Sequence, residues 1–281
     1  MTLSWWQMPT MAELPVIGAQ LSVLDLDRHR DWLFDKNRDL ELPEFCLADI
    51  LNSPDPFIDM ALQKLDGWRG RLGIHGPFSG FELDVKDRDI RQIVQKRLDQ
   101  ALEVCGRLNA RQMVIHSPYD PWDHHNLGAI ANGRKKMVEA VLETLAPALE
   151  RAQDLGVVMV IENIKDLDPS ERAMVVNAAD TPALKLSVDT GHAYWAHRAC
   201  GAPDIPDFIT AAAGDLAHIH LQGSDGLADR HWPLDRGDTN WKAVFSALAK
   251  TGADPHLIIE INDFSQVQES ANYLAKLGLG Q

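Results

Sequence analysis

Six short apolar runs in this chain stop on a histidine, a glutamate or an aspartate, and segments of helical periodicity separate them. The runs end at His75, His116, Glu162, Asp189, His220 and Glu260. Two parallel strands can be joined only through a long crossover, usually a helix. Strand-like runs alternating with helical stripes therefore indicate a parallel sheet covered by helices. The stripes are explicit at Ile90, Val94, Leu98, Ala101, Cys105 and Leu108, and again at Val138, Val141, Leu145, Leu149 and Ala152. Pro147 is expected to kink the second of these helices, and Gly156 to end it. Two further strand candidates precede the six, at 15–21 and 40–45, the latter weakened by Pro43. Eight strand–helix repeats thus occupy about residues 15–277 of a 281-residue chain, the length scale of one (β/α)8 TIM barrel. We expect a single α/β TIM-barrel domain over 1–281 with parallel strands, residues 1–14 forming an N-terminal extension.

Composition narrows the function. With 45% hydrophobic and 24% charged residues, the chain can bury an ordinary globular core. No apolar run approaches the roughly 20 residues that span a bilayer; the most β-branched run, 157–161, meets Glu162 at once. Residues 1–11 carry two tryptophans without a basic region or apolar stretch, so no secretory signal is expected there and the protein is expected in the cytoplasm. Cys46, Cys105 and Cys200 are widely spaced and unpaired in pattern, as core thiols are. A net charge of −14 opposes broad attraction to nucleic acid.

In barrels of this kind the active site lies at the carboxyl ends of the strands. Here those ends offer only oxygen and nitrogen donors suited to Zn²⁺ or Mn²⁺. Any one strand-end histidine is most often a hydrogen-bonded structural group, and any one aspartate there a helix cap. Their occurrence at six successive ends points instead to a metal site. His192 follows Asp189 by three residues, and Asp229-Arg230-His231 adds a carboxylate and an imidazole two apart. His218 shares the inward face of its strand with His220 and should sit one layer deeper, supporting or packed. His124, His125 and His197 are expected to be solvated. Residues 117–133 form a long loop and a candidate lid, in which Trp122 could close over a substrate or simply pack, as could Tyr194.

The ordered set IHGPF, VIHSP, VIEN, SVDTGHA, IHLQGSDG, ADRHWPLDRGD and IIEIN resembles the strand-end motifs of the xylose-isomerase-like barrel superfamily, which includes apurinic endonuclease family 2. In its sugar isomerases and epimerases the resemblance implies one divalent ion held by Glu162, Asp189, His220 and Glu260. Glu162 and Glu260 would then act as acid and base, with His192 on the sugar. In its endonuclease-IV-like branch it implies three Zn²⁺ ions, with His75, His116, His192, Asp229 and His231 as additional ligands. Where the family's usual loop reads Gly-x-Gly, this chain has Asp235-Arg236-Gly237, and Arg236 is the candidate substrate contact there.

Two enzyme functions follow, with a non-catalytic sugar-binding barrel as a third reading. An isomerase or epimerase of a small sugar or sugar phosphate would use one to three Zn²⁺ or Mn²⁺ ions to polarise a carbonyl, while a glutamate moves the adjacent carbon-bound proton. A multinuclear zinc phosphodiesterase would use the full ligand set. The strand-to-helix loops favour the first, because 117–132 contains no Arg or Lys and 222–240 only Arg230 and Arg236. We expect a small sugar-type substrate, with nucleic acid and membrane partners disfavoured; a homo-oligomer is compatible with the sequence.

Overall fold

The computed structural model describes residues 14–281, so all of the expected N-terminal extension except Leu14 lies outside the described residues. Eight parallel strands close into a barrel in sequence order, the last pairing with the first. They are β1 (Gly18–Gln20), β2 (Leu40–Leu42), β3 (Leu72–His75), β4 (Gln112–His116), β5 (Val158–Glu162), β6 (Leu184–Asp189), β7 (Leu216–Leu221) and β8 (His256–Ile259). Around the first half run α1 (Leu26–Asp35), α2 (Ala48–Asn52), α3 (Asp55–Lys64), α4 (Arg88–Leu108), α5 (Pro121–Asn126) and α6 (Gly133–Leu155). Around the second half run α7 (Ser170–Ala179), α8 (Thr190–Cys200), α9 (Ile205–Ala212), α10 (Trp241–Thr251) and α11 (Val267–Lys276). Among the described residues no helix is long and apolar enough to cross a membrane.

Register places the strand ends side by side. His116 pairs with Glu162 across β4 and β5, and Asp189 with His220 across β6 and β7. The second pairing depends on an irregularity: Leu186 faces Leu216 but Ser187 faces His218, so Ala217 is the extra residue of a bulge. Gln112 Nε2 donates to the Ala217 carbonyl at 3.0 Å, supplying a partner to a group the bulge leaves out of the ladder.

Three elements differ from expectation. The second strand ends at Leu42 rather than at residue 45, because Pro43 has no N–H to continue the ladder and the chain turns into a 3₁₀ segment, Glu44–Cys46. The loop expected over 117–133 contains α5, capped by Asp120, whose Oδ1 accepts the Asp123 N–H at 2.8 Å. The segment after Asp189 is also helical: α8 begins at Thr190 with no intervening loop. Its Thr, Gly, His and aromatic content is poor in intrinsic helix propensity, and the helix is set by Asp189 capping and by buried packing of Ala193, Tyr194 and Ala196.

Candidate active site

The mouth of the barrel encloses a cavity of about 580 Å³ lined by Gln20, His75, His116, Glu162, His192, Asp229, His231 and Glu260, among others, a size suited to a small molecule. The strand-end ligands form three adjoining groups. His75 and His116 stand with Glu162; Glu162, Asp189, His220 and Glu260 form the centre; His192, Asp229 and His231 form the third. Within each group one donor atom per residue lies within 4.8 Å of the others.

Each of four histidines has one ring nitrogen tied to a protein acceptor and the other turned toward the carboxylates. His75 Nδ1 donates to the Gly76 carbonyl at 3.0 Å, leaving Nε2 at 3.3 Å from His116 Nε2. His192 Nδ1 donates to the Asn163 carbonyl at 2.9 Å, leaving Nε2 at 3.3 Å from Asp229 Oδ1. His231 Nδ1 faces the Glu260 carbonyl at 3.3 Å, and its Nε2 meets Asp229 Oδ1 at 2.9 Å. His220 Nε2 stands 3.1 Å from Glu41 Oε1, while Nδ1 meets Glu162 Oε1 at 2.7 Å and Glu260 Oε2 at 3.2 Å. An outer acceptor that fixes the tautomer and orients the inner nitrogen is the usual support of a metal-binding histidine.

Burial and charge set the protonation of these groups. For Glu162 burial works against ionisation, but the His220, His192 and His116 rings overcome it and hold the carboxyl well below the usual range. Burial raises the Asp189 carboxyl to about 6, with Glu162 and Glu260 adding to it against the pull of His192. His116 is pushed down to about 3 by burial and by the neighbouring His75. His231 rises to about 9 against its burial, drawn up by its hydrogen bond to Asp229 and the Glu260 charge. His192 and His220 are likewise held well above the ordinary value despite complete burial, by Asp189 and Asp229 for the first and by Glu260, Glu41 and Glu162 for the second. The carboxylates draw protons onto His192, His220 and His231, whereas burial keeps His116 neutral.

The residues present suit a divalent cation. Glu162 Oε2 is buried without a hydrogen-bond partner, an arrangement that normally costs stability. The donor set of imidazoles and carboxylates matches the preferences of Zn²⁺ and Mn²⁺. Residues 56–277 match the family described as Xylose isomerase-like TIM barrel. This chain belongs to that family. It is also similar to the uncharacterized protein MJ1311 of Methanocaldococcus jannaschii, 21% identical over 77% of this chain and 73% of the relative. Among solved structures it superposes on a D-tagatose 3-epimerase-like protein (TM-score 0.75, 20% identity, 93% and 96% of the two chains). It also superposes on the TTHB071 protein of Thermus thermophilus soaked with ZnCl2 (TM-score 0.71, 24% identity, 94% and 99%).

All nine ligand candidates of this xylose isomerase-like barrel therefore converge, whereas two of the expected substrate contacts do not reach the cavity. Trp122 is 73% exposed on α5 and does not line the cavity. Arg236 stacks its guanidinium over Trp232 at 4.0 Å and also stands outside the wall. Tyr194 is buried, its hydroxyl accepting from Arg198 at 3.3 Å.

Sequence reasoning misses Glu41, Gln20, Gln222 and Asn163. Gln20 Nε2 donates to Glu41 Oε1 at 2.9 Å and to Glu260 Oε1 at 2.8 Å. Gln222 Nε2 donates to both Asp189 oxygens at 3.1 Å, and its Oε1 accepts the His231 N–H at 2.8 Å. Gly191 makes room for it: a Cβ there would stand 2.3 Å from Gln222 Cδ. Asn163 accepts the Asp189 N–H at 2.9 Å. One signal is available for Glu41, its position in a strand whose apolar neighbours Leu40 and Leu42 face the other way. His218 is fully buried as expected, its Nδ1 2.8 Å from Ser187 Oγ and its Nε2 3.1 Å from Glu41 Oε2.

Proposed function

We propose that the chain is a cytoplasmic, divalent-metal-dependent isomerase or epimerase acting on a small unphosphorylated sugar, with one to three ions of the Zn²⁺ or Mn²⁺ type at the barrel mouth. The observation that carries this reading is the convergence of Glu162 Oε1 and Glu260 Oε2 on His220 Nδ1, at 2.7 and 3.2 Å, within a cavity of small-molecule size. Solved relatives of this fold include D-tagatose 3-epimerase-like, D-psicose 3-epimerase and AP endonuclease family 2 proteins. Glu162, Asp189, His220 and Glu260 would hold the central ion, and the two flanking groups the others.

A bound cation supplies Lewis acidity, which makes a carbon-bound proton next to a carbonyl more acidic. The chain's own groups then do the transfer. With the central ion alone bound, Glu162 Oε2, which has no hydrogen-bond partner, would be free to take the proton from carbon. Glu260, its Oε1 held by Gln20, would enter the cycle protonated and give that proton to the neighbouring carbon in an isomerisation, or to the opposite face of the same carbon in an epimerisation, so that Glu162 ends the cycle protonated in its place. His192 Nε2 is directed toward the cavity and would hold a hydroxyl. The rim carries Glu82, Asp84, Asp120 and Asp123 against one lysine, Lys165, which favours an uncharged substrate over a phosphorylated one or a nucleic acid.

The two flanking groups, His75–His116–Glu162 and His192–Asp229–His231, favour a second reading, a multinuclear phosphoester hydrolase, since clustered ions can stabilise attacking and leaving oxygens together. Incubation of metal-loaded protein with a panel of ketoses in D2O separates the two. Deuterium at a carbon next to the carbonyl, reduced at least about 100-fold in Glu162→Gln and Glu260→Gln, supports the isomerase. Cleavage of a simple phosphodiester without deuterium uptake by any ketose would overturn it in favour of the hydrolase.

A further inference from the structure

Among the described residues, one cluster of potential ligands outside the barrel mouth has no role in the proposed chemistry. His124 on α5, Asp168 just before α7 and Glu171 in the first turn of α7 each offer a donor atom within 4.8 Å of the other two. None of the three lines the cavity or belongs to the strand-end groups.

Two of these side chains carry buried, unsatisfied atoms. Glu171 is 1% exposed at its side chain, and its Oε2 has no hydrogen-bond partner; Oε1 receives Arg134 Nε at 3.3 Å. His124 Nδ1 is buried and also unpartnered. The Tyr119 hydroxyl, 1% exposed, is a third orphan in the same part of the fold. Asp168 uses Oδ1 to accept the Ser170 N–H and hydroxyl at 2.9 and 2.7 Å, which leaves Oδ2 available. Three buried polar atoms without partners in one region are costly unless something is bound there. Burial raises the Glu171 carboxyl to about 7, with the Asp168 charge adding to it and Arg134 opposing it.

We propose that His124, Asp168 and Glu171 form a second divalent-cation site that clamps α5 to the start of α7. One imidazole and two carboxylates leave a coordination position for water, and Zn²⁺ is the ion that such a donor set suits best. Tyr119, Asp120 and Asp123, which line the cavity, belong to the same 117–133 segment as His124. The cation would therefore hold one wall of the active-site mouth in place.

The full chain, stripped with a chelator and dialysed against Zn²⁺, is tested by counting bound equivalents in the parent and in His124→Ala, Asp168→Asn and Glu171→Gln. Each variant should hold one equivalent fewer than the parent, and equal counts in all four would overturn the proposal. A second measurement does not depend on those variants folding. Hydrogen exchange in residues 120–128 of the chain carrying intact His124, Asp168 and Glu171 should slow on adding Zn²⁺, and should do so equally when all three barrel-mouth groups are disabled by Glu162→Gln, Asp189→Asn and Asp229→Asn together. Exchange that is unchanged by Zn²⁺, or that slows only with the mouth ligands intact, would sink the site.

Discussion

Glu41 Oε1 stands 3.1 Å from His220 Nε2, the ring nitrogen opposite the one that meets Glu162 and Glu260. The contact joins β2 to β7 across the barrel and fixes which nitrogen of His220 faces the cavity. Glu41 is completely buried, yet the His220 and His218 rings outweigh that burial and hold its carboxyl well below the usual range. It is a carboxylate supporting a candidate ligand from behind, and such partners are typically worth 10–100-fold in metal affinity. Glu41→Gln is expected to weaken binding of the central ion by about that factor while leaving the chain folded. Competition of the bound ion with a chelator, beside a thermal unfolding curve, measures both. Unchanged affinity would remove Glu41 from the site.

The acidic rim makes its own prediction. Burial raises the Glu82 carboxyl, and Asp84, Asp120 and Asp123 add to it while Lys165 opposes them. Neutralising Glu82 and Asp84 to Gln and Asn should lower KM for phosphorylated ketoses severalfold relative to their unphosphorylated forms. The advantage should fade as salt rises toward 1 M, where screening shortens to about 3 Å. Equal effects on both substrates would show that the rim does not select by charge.

Among the described residues Arg172 is the largest fully buried side chain, and it ties α7 to the carboxyl ends of two strands. Its Nη1 donates to the carbonyls of Ile161 at 2.8 Å and Ser187 at 2.5 Å, and its Nε lies 3.0 Å from Asp166 Oδ1. Arg172→Leu strands a buried carboxylate and two carbonyls, so a loss of about 3–5 kcal/mol is expected in denaturant unfolding. The loss should shrink in Arg172→Leu combined with Asp166→Asn, because the uncompensated charge is then gone.

His256, at the amino end of β8, gives a pH dependence away from the ligands. Burial pushes its imidazole down from 6.5 to about 4, against the pull of Asp39, with Arg71 and His218 adding to the depression and Glu41 opposing it. Between those two values the unfolded chain binds more protons than the folded one, so stability rises with pH. Its contribution should therefore be complete above about pH 6.5 and fall away as pH drops toward 4, by an amount on the order of 3 kcal/mol. His256→Gln should flatten unfolding free energy against pH in that window. An unaltered slope would assign the acid sensitivity to other groups.

The legible parts of the site share one property. His75, His116, Glu162, Asp189, His220 and Glu260 each end an apolar run, and a run's end is a one-dimensional feature. Glu41 escapes a reading of the sequence because its short strand is followed by Pro43 and carries no terminal ligand. Gln222 lies in a polar loop where nothing distinguishes it from its neighbours, and its role depends on Gly191 leaving space on a different element. His124 reads as solvated because its neighbours in sequence are polar, whereas the groups that meet it lie at the start of α7, more than 40 residues away. α8 is hidden for the converse reason, that tertiary packing and an Asp189 cap override weak local propensity.

The sequence by itself determined the barrel and which candidate ligands stand at its strand ends, because alternation of apolar runs with helical stripes permits only parallel pairing and closure then brings every strand end to one face. Only the tertiary structure decided how those ligands divide into three groups, which ring nitrogen each histidine presents, and which residues stand behind them. Those properties depend on register, on the bulge at Ala217 that sets His220 opposite Asp189, and on side chains such as Glu41 and Gln222 that meet the ligands from elements distant in the chain.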